Sequence, residues 1–461
     1  MRRISPSCLV WLASFALAGT SGAAPSFVEF GQSADGGVIW PTDVSGDGST
    51  VVGGSQQAYR WDGGVVTGLG YLPGGGTYSK AYGISADGST IVGQSDREDG
   101  VIEAARWSGG TIAGLGGLDG GAVTDGQANG VSADGSVIVG VVNGPSGYEA
   151  FRWTAESRMV GLGDLPGGTF NSGAQAISDD GSTIVGEAHS AAGAEPYRWA
   201  NGVMTGLGYL PGGTSFGFAS AVSADGSVIV GVSNSASGLQ AFRWTAGSGM
   251  IGLGYLAGGG SQSAADAVSA DGSVIVGWSG DGNPFFSTAF IWDEAHGMRN
   301  LQSVLEGLGL DLTGWTLTEA TSISPDGTVI TGFAEHGPVE TQSWIATLPK
   351  PPTSACNDGI DNDGDGLLDY PADPGCFTPT SMTESPACDD GIDNDGDGKI
   401  DFDGGASANH GVALGLPDPQ CTQPYRINER QQQACGLGAE LVIPLVALVG
   451  LVRRKASRRG A

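Results

Sequence analysis

Along most of the chain, short runs of alternating apolar and polar residues are separated by clusters of Gly, Ser and Asp, the pattern of β-strands joined by tight turns. One stretch shows the unit. Ala81-Tyr82-Gly83-Ile84-Ser85 alternates and stops at Ala86-Asp87-Gly88-Ser89, where the Asp-Gly pair supplies the positive φ of a hairpin turn. Thr90-Ile91-Val92-Gly93 returns, and Ala104-Ala105-Arg106-Trp107 forms a third strand. Gly109-Gly110 then turns the chain into a fourth, Thr111 to Gly116. A loop such as Leu165-Pro166-Gly167-Gly168 leads on to the next unit. Only Leu301 to Leu310 carries an apolar period of the helical kind.

The unit repeats. Ser-x-Asp-Gly-x-x-x-x-Gly recurs with its Asp at Asp47, Asp87, Asp134, Asp180, Asp225, Asp271 and Asp326. A tryptophan follows each time, at Trp61, Trp107, Trp153, Trp199, Trp244, Trp292 and Trp344. Successive tryptophans stand 45 to 52 residues apart, which suits one four-stranded propeller blade and is too long for a leucine-rich rung. Seven units predict an all-β chain whose residues 24–349 form a seven-bladed β-propeller. The strand count closes as well. Leu-Gly strands, weakening to Met298-Arg299-Asn300-Leu301, follow the first six tryptophans, and none follows Trp344. A spare candidate, Phe27-Val28-Glu29-Phe30-Gly31, precedes the first unit. Joined to the last blade, it closes the ring and removes exposed sheet edges.

Ser-x-Asp-Gly followed by Ala-Phe-x-Trp, as in Glu149-Ala150-Phe151-Arg152-Trp153 and Gln240-Ala241-Phe242-Arg243-Trp244, resembles the bacterial extracellular repeats called HAF. The resemblance covers residues 27–348 and implies secretion more than any defined activity. The histidine of the family's name is missing, since Glu149, Gln240 or Thr288 stands in its place, so no role of that histidine carries over. The turn aspartates are similar in style to the structural Asp-boxes of sialidase propellers and read as turn formers. The tryptophans are expected between blades. Arg60, Arg106, Arg152, Arg198 and Arg243 are expected on the opposite strand face, reaching a neighbouring Asp-Gly turn or carbonyl.

Composition narrows the partners. The 461 residues carry 20 Lys plus Arg against 49 Asp plus Glu, a formal charge of −29. Such a chain repels phosphate backbones, which excludes direct nucleic-acid binding, and it attracts divalent cations. The 83 glycines follow no collagen register and cluster in turns. Of six cysteines, Cys8 lies near the start and the other five follow residue 355, so the propeller does not depend on disulfides.

Both ends read as addresses. Met1-Arg2-Arg3, the apolar run Cys8 to Ala18 and the small residues up to Ala24 make residues 1–23 a signal peptide cut after Ala23. At the other end, residues 435–461 hold Cys435-Gly436-Leu437-Gly438, the apolar stretch Leu441 to Val452 expected as a hydrophobic helix, and then Arg453, Arg454, Lys455, Arg458 and Arg459. This tail resembles the cysteine-containing sorting signals of bacterial surface proteins, with Cys435 and Gly436 as the signature and a membrane peptidase as the implied partner. A single-span anchor in contact with the membrane is the other reading; Glu440 and Pro444 weaken it.

Between propeller and tail, linkers at 350–355 and 422–434 flank an Asp-rich segment at 356–421. Asp361, Asp363, Asp365 and Asp369 recur in spacing as Asp393, Asp395, Asp397 and Asp401, at relative positions 1, 3, 5 and 9 with Gly at 6. An EF-hand-like loop places its oxygen ligands there, and hard oxygens at that spacing suit Ca²⁺. Ala372 and Gly404 stand at position 12, where a bidentate Glu is usual, so the loops resemble thrombospondin type 3 repeats more than signalling EF-hands. Cys356 and Cys376 bracket the first loop, Cys388 and Cys421 the second, and the matching closing ends, Asp373-Pro374-Gly375-Cys376 and Asp418-Pro419-Gln420-Cys421, favour those two disulfides.

Catalytic chemistry is not legible. His189, His296, His336 and His410 do not repeat in register. No Ser-His-Asp arrangement, no phosphate loop and no matched carboxylate pair outside the turns stands out. The expectation is a secreted, surface-displayed, non-catalytic protein whose propeller binds a glycan, peptide or matrix component on a calcium-stabilised stalk. A coat or spacer without specific ligand, and a polysaccharide lyase or glycosidase, remain the alternatives.

Overall fold

The computed structural model describes residues 24–31, 37–258, 260–281, 287–337 and 340–349, together with Pro417. The segments expected as signal peptide, calcium loops, linkers and sorting tail, and all six cysteines, lie outside the described residues. No helix among the described residues is long and apolar enough to cross a membrane.

Those residues form seven four-stranded antiparallel sheets, the blades of a closed β-propeller. Blades 1 to 6 are contiguous: 40–68, 79–114, 126–161, 167–206, 217–252 and 262–300. Blade 7 takes three strands from 315–347 and its fourth from Ser26–Glu29, which pairs antiparallel with Glu340–Thr347. The helical period materialises as the short helix Leu301–Gly307, capped by Asn300 accepting from Ser303 N at 2.9 Å.

The repeated motif is explained atom by atom in blade 2. Ser85 Oγ donates to Asp87 Oδ1 at 2.7 Å, and the same oxygen accepts from Ser89 N at 2.9 Å. Ser85 Oγ in turn accepts from Thr90 N at 3.0 Å, and Gly88 takes φ +70°. The local network needs no distant partner. It also stabilises the charged form of the carboxyl: hydrogen bonds from Ser49 N and Ser45 Oγ hold Asp47 down at about 2.

The last glycine of the motif answers to a second feature. In all seven blades the first and second strands slip register by one residue, between Ala81 and Gly83 in blade 2. This bulge breaks the alternation expected over Ala81 to Ser85, because Tyr82 becomes an extra residue without a partner. It also brings Lys80 O onto Gly93, leaving no room for a Cβ.

The tryptophans pack between blades as expected. Trp153 of blade 3 sits with Val92, Ala104 and Leu115 of blade 2 and its neighbourhood, and Trp153 Nε1 donates to Leu115 O at 3.1 Å. Arg106 stacks over the Trp153 ring at 5.0 Å, while Arg60 Nη1 donates to Gly88 O of the next blade's turn at 3.0 Å.

Backbone bonds also link the turns around the ring. Gly46 N donates to Ala86 O, Ala86 N to Ala133 O, and so on through Asp179, Ala224 and Ala270 to Pro325 O, at 2.8–3.1 Å. The seventh link requires an N–H from Pro325, which has none. The seam between blades 7 and 1 uses side chains instead. Ser343 Oγ donates to Ile39 O at 2.6 Å and Thr321 Oγ to Pro41 O at 3.1 Å. Asp43 accepts from Ser322 Oγ at 3.2 Å, from Val44 N at 2.8 Å and from Ile84 N at 3.0 Å.

Burial outweighs these three bonds and pushes Asp43 from 3.8 up to about 6. The folded carboxyl therefore keeps its proton to higher pH than the unfolded one. Its contribution is complete below about pH 4 and is lost as pH rises through about 6, roughly 3 kcal/mol for the shift from 3.8. Denaturant titrations of wild type and Asp43→Asn should diverge over that window, with wild type losing ground as pH rises. Parallel curves would show that Asp43 does not titrate there.

Candidate functional site

At the bulge that recurs in all seven blades the extra residues are Thr42, Tyr82, Asn129, Gln175, Ser220, Asp266 and Thr321. Each stands three before the Ser of its turn, and all seven line a central channel cavity of 230 Å³. Where the motif recurs blade after blade, this position changes in nearly every one. One rung toward the mouth, Trp40, Lys80 and Glu319 join Phe333 and part of the ring around a recess of 330 Å³. Trp40 is 46 % exposed and its ring lies 4.5 Å from that of Phe333, tilted by 56°.

The recess is electrostatically loaded. Asp266 is surrounded by protein while part of its surface faces the lumen; burial first, then the charge of Glu319, raises it well above the usual carboxylate range. Burial likewise raises Glu319 and Tyr82 and lowers Lys80. Lys80 Nζ lies 5.2 Å above the Tyr82 ring, whose hydroxyl accepts from Gln94 Nε2 at 3.1 Å. Asp266 Oδ2 and Ser220 Oγ are fully covered and have no hydrogen-bond partner.

This pair corrects the sequence reading that no carboxylates match outside the turns. Asp266 and Glu319 sit in different blades and at different rungs, so no fixed spacing announces them. The signal that marks them is positional: Asp266 is the one carboxylate at the bulge position, and Glu319 the one carboxylate two residues before it, where the other blades carry Trp40, Lys80, Gln127, Gly173, Phe218 and Ala264.

Other singled-out residues are structural or apart. Glu149 Oε1, at the place of the missing histidine, accepts from Gly163 N at 3.2 Å, and Glu103 and Glu195 repeat the contact on Gly116 N and Gly208 N at 2.9 Å. His189 contacts Thr169 and Asn171, His296 contacts Asp293, and His336 stacks on Trp315. Among the described residues no three His, Cys, Asp or Glu side chains converge to hold a metal ion. The aspartates of the two expected calcium loops lie outside the described residues.

Fold and channel together define a closed seven-bladed β-propeller with a polar, aromatic-rimmed mouth. No family model matches the chain, and no curated protein matches it significantly. Among solved structures, TolB from Acinetobacter baumannii is similar at 15 % identity and TM-score 0.38, the match covering 57 % of this chain and 62 % of that one. A putative TolB from Agrobacterium tumefaciens is similar at 16 % identity and TM-score 0.36, covering 68 % and 90 %. Oligogalacturonate lyase from Vibrio parahaemolyticus is similar at 11 % identity and TM-score 0.44, covering 72 % and 98 %. None of these likenesses bears on what this chain binds.

Proposed function

We propose that this protein is a secreted, surface-displayed binding module without catalytic activity, and that its propeller takes an extracellular glycan, peptide or matrix component at the channel mouth around Trp40. One observation carries the reading. In a chain whose turn and packing positions recur blade after blade, the residues the bulges aim into the channel change from blade to blade, and beside them stands an exposed tryptophan. Exposed aromatics flanked by polar groups are how binding sites gain contact area and orientation together. Saturable binding on a glycan or matrix-component array is expected. Trp40→Ala should weaken it about thirtyfold, the loss of one hot spot of ~2 kcal/mol, with the melting curve little changed. Binding unaffected by that substitution would remove the site from the channel mouth.

The signal peptide, the sorting tail and the calcium stalk belong to the same proposal. The two Asp-rich loops at 361–369 and 393–401 motivate the stalk. Ca²⁺ uptake at roughly 10⁻⁴ to 10⁻³ M is expected, the range of extracellular modules. Calorimetry on the whole secreted chain should show most of that uptake gone in the double variant Asp363→Ala, Asp395→Ala; equal uptake would end the assignment.

A second reading has one observation in its favour. Two half-buried carboxyls lining one recess, Asp266 raised by burial and by Glu319, and Glu319 raised by burial, match in kind the paired acids of a glycosidase. Release of new reducing ends from a polysaccharide, abolished by Glu319→Gln, would select it.

A further inference from the structure

Among the described residues, six of the seven joints between blades are built alike and one is not. At the six, the first strand of a blade lies close against the first three strands of the blade before it. Trp40–Val44, the first strand of blade 1, lies close against only two strands of blade 7, and Ile39 just before it reaches the third through Ser343. The backbone bond between turns is likewise present at six joints and lost at the same seventh, because Pro325 has no N–H to give. Side-chain chemistry changes there too. Just after the bulge, five blades carry Gly83, Gly130, Ala176, Ala221 and Ala267, whereas blade 1 carries Asp43 and blade 7 Ser322, bonded to each other across the joint.

The odd joint runs through the candidate site. Trp40, Pro41 and Thr42 wall the recess from blade 1, and Glu319, Thr321 and Phe333 wall it from blade 7. The Trp40 and Phe333 rings meet across the joint. Beneath them Ile39 and Val44 pack with Val329 and Ile345. Apolar packing of this kind is non-directional and re-forms after each separation. Local openings are drawn from the least bonded parts of a structure, and here the directional backbone link is the part withheld.

We propose that the joint between blades 7 and 1 is a gate: it opens locally in the native protein while the other six joints stay shut, and each opening parts the two walls of the recess. Its use, to admit and release an occupant of the channel mouth, rests on the reading of that mouth as a binding site; its existence does not.

Buried thiols on the whole secreted chain report the opening. Ser343→Cys places one at the gate and Ser263→Cys one at the joint of blades 5 and 6, both at fully buried side chains. The comparison is weighted against the gate, since Ser263 Oγ gives up two bonds, with Ala241 N and Gly254 O, and Ser343 Oγ one, with Ile39 O. Under native conditions a thiol reagent, with labelled peptides identified by mass spectrometry, should modify position 343 at least about tenfold faster than position 263. About fivefold of that is the worth of one net backbone hydrogen bond, and the thinner packing supplies the rest.

Adding Pro325→Ala, which supplies the missing N–H, should slow labelling at 343 about fivefold and leave 263 no slower. Loss of a proline by itself favours the unfolded chain and speeds exposure, so slowing reports the restored bond. Ser322→Ala, which removes the bond to Asp43, should speed labelling at 343 alone. Hydrogen exchange on the unsubstituted chain, which needs no thiol, should find residues 40–44 less protected than 217–222 and 262–268. Equal rates at the two thiols, equal protection of those strands, or a rate at 343 that Pro325→Ala does not slow overturns the gate. The array readout for Trp40→Ala is independent of these rates, so the gate and the binding site fail separately.

Discussion

Deleting residues 24–31 is expected to cost the propeller its single cooperative unfolding transition. Those residues supply the outer strand of blade 7, pairing Ser26 to Glu29 with Thr347 to Trp344. Phe27 lies against Trp344 with ring centroids 5.9 Å apart and meets Trp315 edge-on at 5.1 Å. Phe30 is 1 % exposed, packs with Ile39, Tyr59 and Ile345, and donates its N–H to Ser343 O at 2.8 Å. Emptying one buried Phe site costs about 3–5 kcal/mol, against about 5–15 kcal/mol for a typical domain. Two aromatics and a strand removed together exceed what most domains can lose. The effect concentrates at the seam where Pro325 already withholds one turn-to-turn bond. Thermal unfolding of the truncated chain should be broad and shifted down by well over ten degrees, and proteolysis should begin in blade 7. Val28→Ala, at a side chain 42 % exposed, serves as the control and should change little. A truncated chain melting like the wild type would refute closure by this strand.

Gly140→Ala should be nearly as damaging, though it adds one methyl group. Gly140 closes the repeated motif of blade 3 and faces the bulge around Asn129. A Cβ there would fall well inside contact with Gln127 O and 2.9 Å from Ala128 Cα. Both obstacles are backbone, so relief requires undoing the bulge, and with it the turn that aims Asn129 into the channel. A loss of at least about 4 kcal/mol is expected, the size reserved for strain or overpacking with no escape. Gly109→Ala separates this from ordinary backbone strain: its φ is +58° and nothing lies within 4 Å of the added carbon. That substitution should cost only about 1–2 kcal/mol. Chemical denaturation of both variants gives the comparison, and equal losses would show that close approach is not what demands glycine at 140.

The blades were legible because their determinants are local. Ser85, Asp87, Gly88 and Thr90 complete a turn among themselves, and nothing elsewhere must be known to read it. The tryptophans set the period, and counting their partner strands was enough to assign the segment before the first unit, expected at Phe27 to Gly31 and paired at Ser26–Glu29, to blade 7. The turn aspartates and Arg60 fell where their residue types require. The missing-histidine position was legible as a place but not as a role, since Glu149 turns onto Gly163 N only once the outer strand lies beside it.

The channel mouth was not legible, and the bulge is the reason. Side chains alternate along a strand with a period of two, so one extra residue reverses which side chains face the lumen. Tyr82 and Asp266 look like ordinary strand residues until that slip in register is seen. Asp266 and Glu319 then line one recess because the packing of successive blades places the first strands of blades 6 and 7 side by side. Asp43 and Ser322 likewise bond only across the seam. Turn chemistry, strand order and closure follow from bonds within a few residues and from counting. The carboxyl pair, the recess and the unpartnered oxygens depend on seven separate strands converging on one axis, an arrangement that exists only after the ring has shut.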